Sequence, residues 1–288
     1  MRKFAVIDIG SNSVRLMFVA DGKVLYKALC TTRLGEGLAD TSMLSAAAIE
    51  RSAKAVTDFY QSAISEGAEK VFAFATAAVR SAKNRAEFLS LVNTLCGLEI
   101  EVISGEEEAE IGILGALGKS DGGVVDVGGA STEIVVKKSE ELIYKKSVDI
   151  GVVRLKDKCG RNYTALAETA KKAALSYGNI PFKGDITGIG GTATTLGALS
   201  LGLTKYDPDK VTGAAITAQE MKELSERLLA MSVEEIAALP CMPKGRADVL
   251  TGGAVLLSVL METLGFERLI VSDRDNLEGY AIKRNLME

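Results

Sequence analysis

The chain has 288 residues, a net charge of −4, 47% hydrophobic residues, 5% aromatics, and neither tryptophan nor histidine. The acidic balance argues against a general nucleic-acid or acidic-membrane binder. The missing histidine excludes His-based triads, His metal ligands and His general bases, so acid–base chemistry must come from carboxylates, Lys, Tyr or Cys. The length fits two domains of ordinary size, each with an aliphatic core. The four cysteines (Cys30, Cys96, Cys159, Cys241) form no CxxC pair and read as reduced thiols of a cytoplasmic protein. No signal-like apolar run precedes Asp8. The apolar stretch 249–261 contains glycines, is short for a bilayer span and reads as a buried helix.

In chain order, a strand is expected over 4–9. It reaches Asp8 and then turns through Gly10-Ser11-Asn12-Ser13. Strands over 14–20 and 24–27 follow. A glycine-broken loop precedes a helix over 45–66, with Ile49, Val56, Phe59 and Ala63 on one face. A strand over 70–75, a small-residue turn at 76–78, a helix over 85–95, a strand over 99–103 and a helix over 105–117 complete the first half. Residues 118–123 read as a linker. The pattern then restarts: Asp126-Val-Gly128-Gly129-Ala130-Ser131-Thr-Glu133 repeats Asp8-Ile-Gly10-Ser11-Asn12-Ser13-Val-Arg15 at a constant offset of 118 residues. Strands over 123–127, 133–137 and 142–145 match the first three, and helices over 151–158 and 166–177 follow. A strand over 185–189 leads through Gly190-Gly191-Thr192 into another helix. Thr217/Glu220 and Ser232/Glu235 fit capping boxes. A long apolar helix over 246–264, a strand over 268–272 and a final helix end the chain. Strands alternating with helices imply an α/β protein, with domains 1–119 and 120–288.

The duplicated turns carry the chemistry. Each exposes several backbone N–H groups at one spot, which suits phosphate oxygens, and each follows an Asp that suits a cation. Candidate phosphate contacts are Gly10, Ser11, Asn12 and Ser13 in the first turn, and Gly128, Gly129 and Ser131 in the second. Gly190, Gly191 and Thr192 form a third seat where a helix begins. Ser104 and Glu107 fit a capping box. Neighbours on a helix point ~100° apart, so Glu108 is free of that structural duty, and catalysis is one reading of it beside favourable interaction with the helix dipole. Arg80, Arg33 and Arg154 read either as solvated charges or as forks onto phosphate.

These motifs resemble the exopolyphosphatase/guanosine pentaphosphate phosphatase (Ppx/GppA) family, within the superfamily of actin, Hsp70 chaperones and sugar kinases. The resemblance rests on 8–16, on Thr32-Arg33-Leu-Gly-Glu-Gly37, on Ala75-Thr76-Ala-Ala-Val-Arg80, on Ser104-Gly-Glu-Glu-Glu108-Ala, on 126–133, on Gly188-Ile-Gly190-Gly191-Thr192, and on Arg246-Ala-Asp-Val-Leu. It implies duplicated actin-like (ribonuclease H-like) α/β domains with an interdomain cleft. It also implies magnesium-dependent release of terminal phosphate from inorganic polyphosphate or guanosine pentaphosphate. Glu108 occupies the family's catalytic position. Arg80 is expected on the phosphate, and Asp8, Asp126 and Glu133 on Mg²⁺. No nucleic-acid or membrane partner is expected, and a homodimer is left open.

Three departures bear on this expectation. The turn has Ala130 where the family has a third glycine, and a Cβ there would crowd a phosphate if φ were positive. The late motif, typically Ser-Asp-x-Gly-Leu-Arg-Glu-Gly, reads Ser272-Asp-Arg-Asp275-Asn276-Leu277-Glu278-Gly279. The C-terminal helical domains of long family members have no counterpart here. Together these favour short substrates over processive digestion of long polyphosphate. The rival readings are a kinase of the same superfold and a non-hydrolytic nucleotide or polyphosphate sensor.

Overall fold

The computed structural model describes residues 2–287. The first half contains β1 (Lys3–Ile9), β2 (Ser13–Ala20), β3 (Lys23–Thr31), α1 (Leu38–Thr41), α2 (Ala46–Ser65), β4 (Lys70–Ala75), α3 (Ala77–Ser81), α4 (Arg85–Cys96), β5 (Glu101–Val102) and α5 (Gly105–Leu117). The second contains β6 (Gly122–Val127), β7 (Thr132–Lys138), β8 (Glu141–Val148), α6 (Val152–Cys159), α7 (Tyr163–Ser176), β9 (Gly184–Ile189) and α8 (Gly190–Ser200). It continues with α9 (Pro208–Val211), β10 (Ala215–Thr217), α10 (Ala218–Ala230), α11 (Val233–Ala237), α12 (Ala247–Leu264), β11 (Phe266–Val271) and α13 (Asn276–Lys283). The elements α1, α3, α9 and β10 were not expected; at three to five residues each, they are too short for a periodic signal.

The strands form two sheets, in the orders β3-β2-β1-β4-β5 and β10-β11-β9-β6-β7-β8. Each has a three-stranded antiparallel meander beside parallel strands, and the repeat is kept in register. Asp8 pairs across the ladder with Arg15, and Asp126 pairs at the equivalent place with Glu133. β1 is buried continuously from Ala5 to Ile9. A strand covered on both faces needs apolar side chains on both, and this run supplies them.

The sheets divide between β5 and β6, but the helices do not divide with them. α5, which follows the first sheet, packs on β6, β7 and β8. α13, at the chain's end, returns to β1. There Leu277, Tyr280 and Ala281 join Val6, Met17, Phe74, Ile103 and Ile111 in one apolar cluster. The two crossing helices touch at Gly115 and Gly279. A Cβ at either position would fall within the other helix's backbone, so small residues let the crossing close this tightly. The helix α12 is long and apolar enough to cross a membrane by length and composition, but it lies within the core, packed by α6, α7 and α10. The four cysteines are free thiols.

Candidate active site

The two repeat turns are built alike. Gly10 N–H donates to Ser13 O and Gly128 N–H donates to Ser131 O, each at 3.0 Å. They face each other across the interdomain cleft, with Gly129 against Ser11 and the backbone of Asn12. The third turn is tied to the second by Thr192 Oγ1, which donates to Val127 O at 3.0 Å. The cleft wall carries Asp8, Gly10, Ser11, Asn12, Ser13, Glu108, Asp126, Gly128, Gly129, Ser131, Gly190, Gly191 and Thr192. Ala130 has no positive φ, so its Cβ carries none of the backbone strain that the sequence raised.

Glu108 sits in the first turn of α5, one residue after the capping-box acid Glu107, whose partner is Ser104. Its side chain is buried and accepts a hydrogen bond from Arg80 Nη1 at 2.9 Å. Burial pushes the Glu108 carboxyl up from its usual range, against the opposing pull of Arg80. Arg80 also donates to Ile103 O and stands beside Glu108 rather than on the cleft wall. Glu133 is likewise off the main wall. It accepts from Ser147 Oγ at 2.6 Å and lines a small side cavity with Glu108, Asp126 and Asn276. Burial, then Glu108 and Asp126, drive its pKa well upward.

One functional candidate was quoted in a sequence motif but given no role. Arg246, just before α12, is buried and reaches the cleft between the first and third turns. Its Nη2 donates to Ser13 Oγ at 3.2 Å, its Nε has no partner, and among the described residues it has no ion pair. Its guanidinium lies where a Cβ at 191 would be, so Gly191 is required for the arginine to pass. Burial, then repulsion by Arg15, lowers its pKa to about 10. The only sequence signal for this role was an arginine heading an apolar helix.

Carboxylates outnumber arginines here: Asp8, Glu108, Asp126, Glu133 and Asp275 against Arg15, Arg80 and Arg246. A phosphate would meet excess negative charge unless a cation came with it. The donors suit a hard cation. Among the described residues, Asp8 Oδ1 and Asn12 Oδ1 are buried without partners, and the cleft lining has no Cys, Met or His to offer sulfur or imidazole nitrogen. Among the described residues, no three or more His, Cys, Asp or Glu gather to hold a metal. The residues therefore fit Mg²⁺ in its usual mode, on one or two carboxylates plus water and substrate phosphate, better than a closed protein cage.

Asp126 gives a pH prediction. Burial, then Glu108 and Asp275, raise its pKa to about 8, from 3.8 as an ordinary Asp. The folded state thus holds a proton that the unfolded chain releases, and stability is lost as pH rises through about 8. Asp8, Glu108 and Glu133 shift the same way, whereas Asp275, lowered because Arg15 and Lys27 outweigh its burial, acts only at acid pH. The melting temperature in chelator should fall between pH 5.5 and 8.5, and fall less in Asp126→Asn. Equal slopes in the two proteins would refute the assignment.

A duplicated two-sheet α/β fold brings its repeat turns and a third glycine turn onto one acidic, arginine-bearing cleft, the arrangement of a two-lobed protein suited to an anionic ligand. The sequence profile of the Ppx/GppA phosphatase family matches residues 17–286, and the chain belongs to that family of hydrolases. It is 33% identical to exopolyphosphatase 2 of Mycobacterium tuberculosis, over 98% of each chain. It is 30% identical to the guanosine-5'-triphosphate,3'-diphosphate pyrophosphatase of Vibrio cholerae, over 96% of this chain and 58% of that one. The solved Ppx/GppA protein of Aquifex aeolicus superposes with a TM-score of 0.79 at 32% identity, over 99% of this chain and 98% of that one.

Proposed function

We propose that this protein is a cytoplasmic phosphoanhydride hydrolase that releases terminal phosphate from inorganic polyphosphate or guanosine pentaphosphate. The carrying observation is Arg246: a buried cation with no ion pair among the described residues, aimed between glycine turns, with Glu108 in the same cleft. An uncompensated buried charge is costly, and an anionic ligand removes that cost. The relatives' names supply the substrate classes.

In this reading, backbone N–H groups of the three turns and the Arg246 guanidinium hold the terminal phosphoryl oxygens. Glu108 orients the attacking water and accepts its proton; burial raises its pKa, which makes it a stronger base than a solvated carboxylate. Arg80 keeps the Glu108 carboxylate aimed. Asp8 and Asp126 would hold Mg²⁺, with Glu133 adding negative charge from the side cavity. When bound, the ion supplies charge neutralisation on the transferring group. Phosphoryl transfer needs chiefly positioning and charge stabilisation, so the lack of histidine is no obstacle.

The test is phosphate release from short polyphosphate, long polyphosphate and guanosine pentaphosphate, with and without magnesium. Water as sole acceptor separates hydrolysis from the kinase reading, and any turnover separates it from the sensor. A partial digest of long polyphosphate should give a ladder of intermediates, because only the cleft itself carries phosphate-binding groups in this reading. Full-length chains coexisting only with end product would mean processive action and a basic track beyond the cleft.

A further inference from the structure

The loop from β11 into α13 reaches both repeat aspartates. Arg15 bridges Oδ2 of Asp8 and Oδ2 of Asp275. Asp275 is itself immobilised. Its Oδ1 accepts from Leu277 N at 3.0 Å, and its N–H donates to Glu278 Oε2 at 3.0 Å. Glu278 is in turn paired with Lys27 Nζ at 2.6 Å. The next residue, Asn276, donates from Nδ2 to Asp126 Oδ2 at 3.2 Å. Each aspartate is thus held by one oxygen from adjacent residues at the start of α13, Asp8 through Arg15 to the N-cap Asp275 and Asp126 directly by Asn276. Asp8 Oδ1 keeps no partner, and among the described residues the other oxygen of Asp126 accepts no side-chain or backbone hydrogen bond.

We propose that Asp275 and Asn276 are positioning residues of the hydrolytic site, fixing the two repeat aspartates by Oδ2 so that each presents its other oxygen to a magnesium–phosphate ligand. The inference rests on the function proposed above. Arg15 paired with Asp8 alone would neutralise that carboxylate and spoil it as a cation ligand. Asp275 shares the guanidinium and leaves Asp8 the charge to attract an ion. Asn276 does the equivalent for Asp126 with a neutral donor, which suits a carboxylate already crowded by Glu108 and Glu133. Buried ion pairs give little net stability once desolvation is counted; what this one sets is geometry. These two residues stand where the family pattern has glycine and leucine, so the arrangement is a property of this chain's late motif.

The experiment compares Asp275→Asn and Asn276→Ala with wild type and with Leu277→Met, a packing control in the same segment that touches neither aspartate. The rate of phosphate release is measured against magnesium. Independently, the rise in melting temperature on adding magnesium to the protein with inorganic phosphate is recorded. Loss of residues that orient metal ligands typically costs 10–100-fold in metal affinity. The magnesium needed for half-maximal rate should rise by about that factor in both variants, with KM for substrate at saturating magnesium little changed, and the melting shift should shrink. Leu277→Met should behave as wild type. Should Asp275→Asn fail to fold, Asn276→Ala alone carries the result. Wild-type magnesium dependence in Asn276→Ala, an equal loss in Leu277→Met, or no melting shift in the wild-type protein would overturn the proposal. A wild-type protein with a magnesium-induced shift but no phosphate release would sink the hydrolase reading and leave the positioning role to be judged on the shift.

Discussion

Glu108→Gln should lower kcat by roughly 10²–10⁴-fold with KM nearly unchanged, the usual contribution of a general base. The amide keeps the size of the side chain and an oxygen for Arg80 Nη1, 2.9 Å away in the wild-type protein. It removes only the ability to accept a proton from water. The variant should fold at least as well as wild type once the wild-type carboxylate is ionised, because burial disfavours that charge and the amide carries none. Activity and stability therefore move independently, which a general packing defect would not allow. Glu107→Ala is the control. Glu107 closes the capping box with Ser104 and lies off the cleft, so its loss should cost stability rather than rate. A Glu108→Gln enzyme retaining more than about half the wild-type rate would remove Glu108 from the base role; phosphate release and thermal melts decide it.

The legible parts of this protein are those written locally. The 118-residue repeat carries an Asp, a glycine turn and the first residues of the returning strand in fixed order. That local grammar gives two meanders with Asp8 opposite Arg15 and Asp126 opposite Glu133. The capping boxes at Ser104, Thr217 and Ser232 were visible for the same reason: each needs only residues three apart. What was not legible depends on contacts distant in sequence. A helix's apolar face does not say which sheet it will cover, so the exchange of α5 and α13 between the halves left no local mark. Arg80 reads as one of several loop cations until the fold brings it to Glu108. In the sequence Asp275 is one of the departures from the family's late motif that favour short substrates; the fold pairs it with Arg15 and uses it to cap α13. Leu277, where the family has arginine, is apolar because it is buried with Val6 and Phe74 under the first sheet.

Arg246→Gln is expected to move activity and stability in opposite directions. If Arg246 neutralises the bound phosphoryl group, removing it breaks buried charge-assisted hydrogen bonds. Truncating one side of such a pair costs about 2–5 kcal/mol, which is a loss of roughly 30-fold to several thousand-fold in kcat/KM. In the ligand-free protein the same side chain is a buried charge in no ion pair among the described residues, with its Nε unsatisfied and its pKa drawn down to about 10 by burial and then Arg15. Exchanging it for a neutral amide removes that desolvation penalty, so the melting temperature without phosphate should rise. Adding inorganic phosphate should raise the melting temperature of wild type and do little for the variant. Arg246→Lys should fall between the two in activity, because an ammonium keeps charge but not the fork that reaches two oxygens. A variant that lost activity and ligand-free stability together would mark Arg246 as a structural brace for Gly191 and α12. The anion seat would then have to rest on the three backbone turns alone.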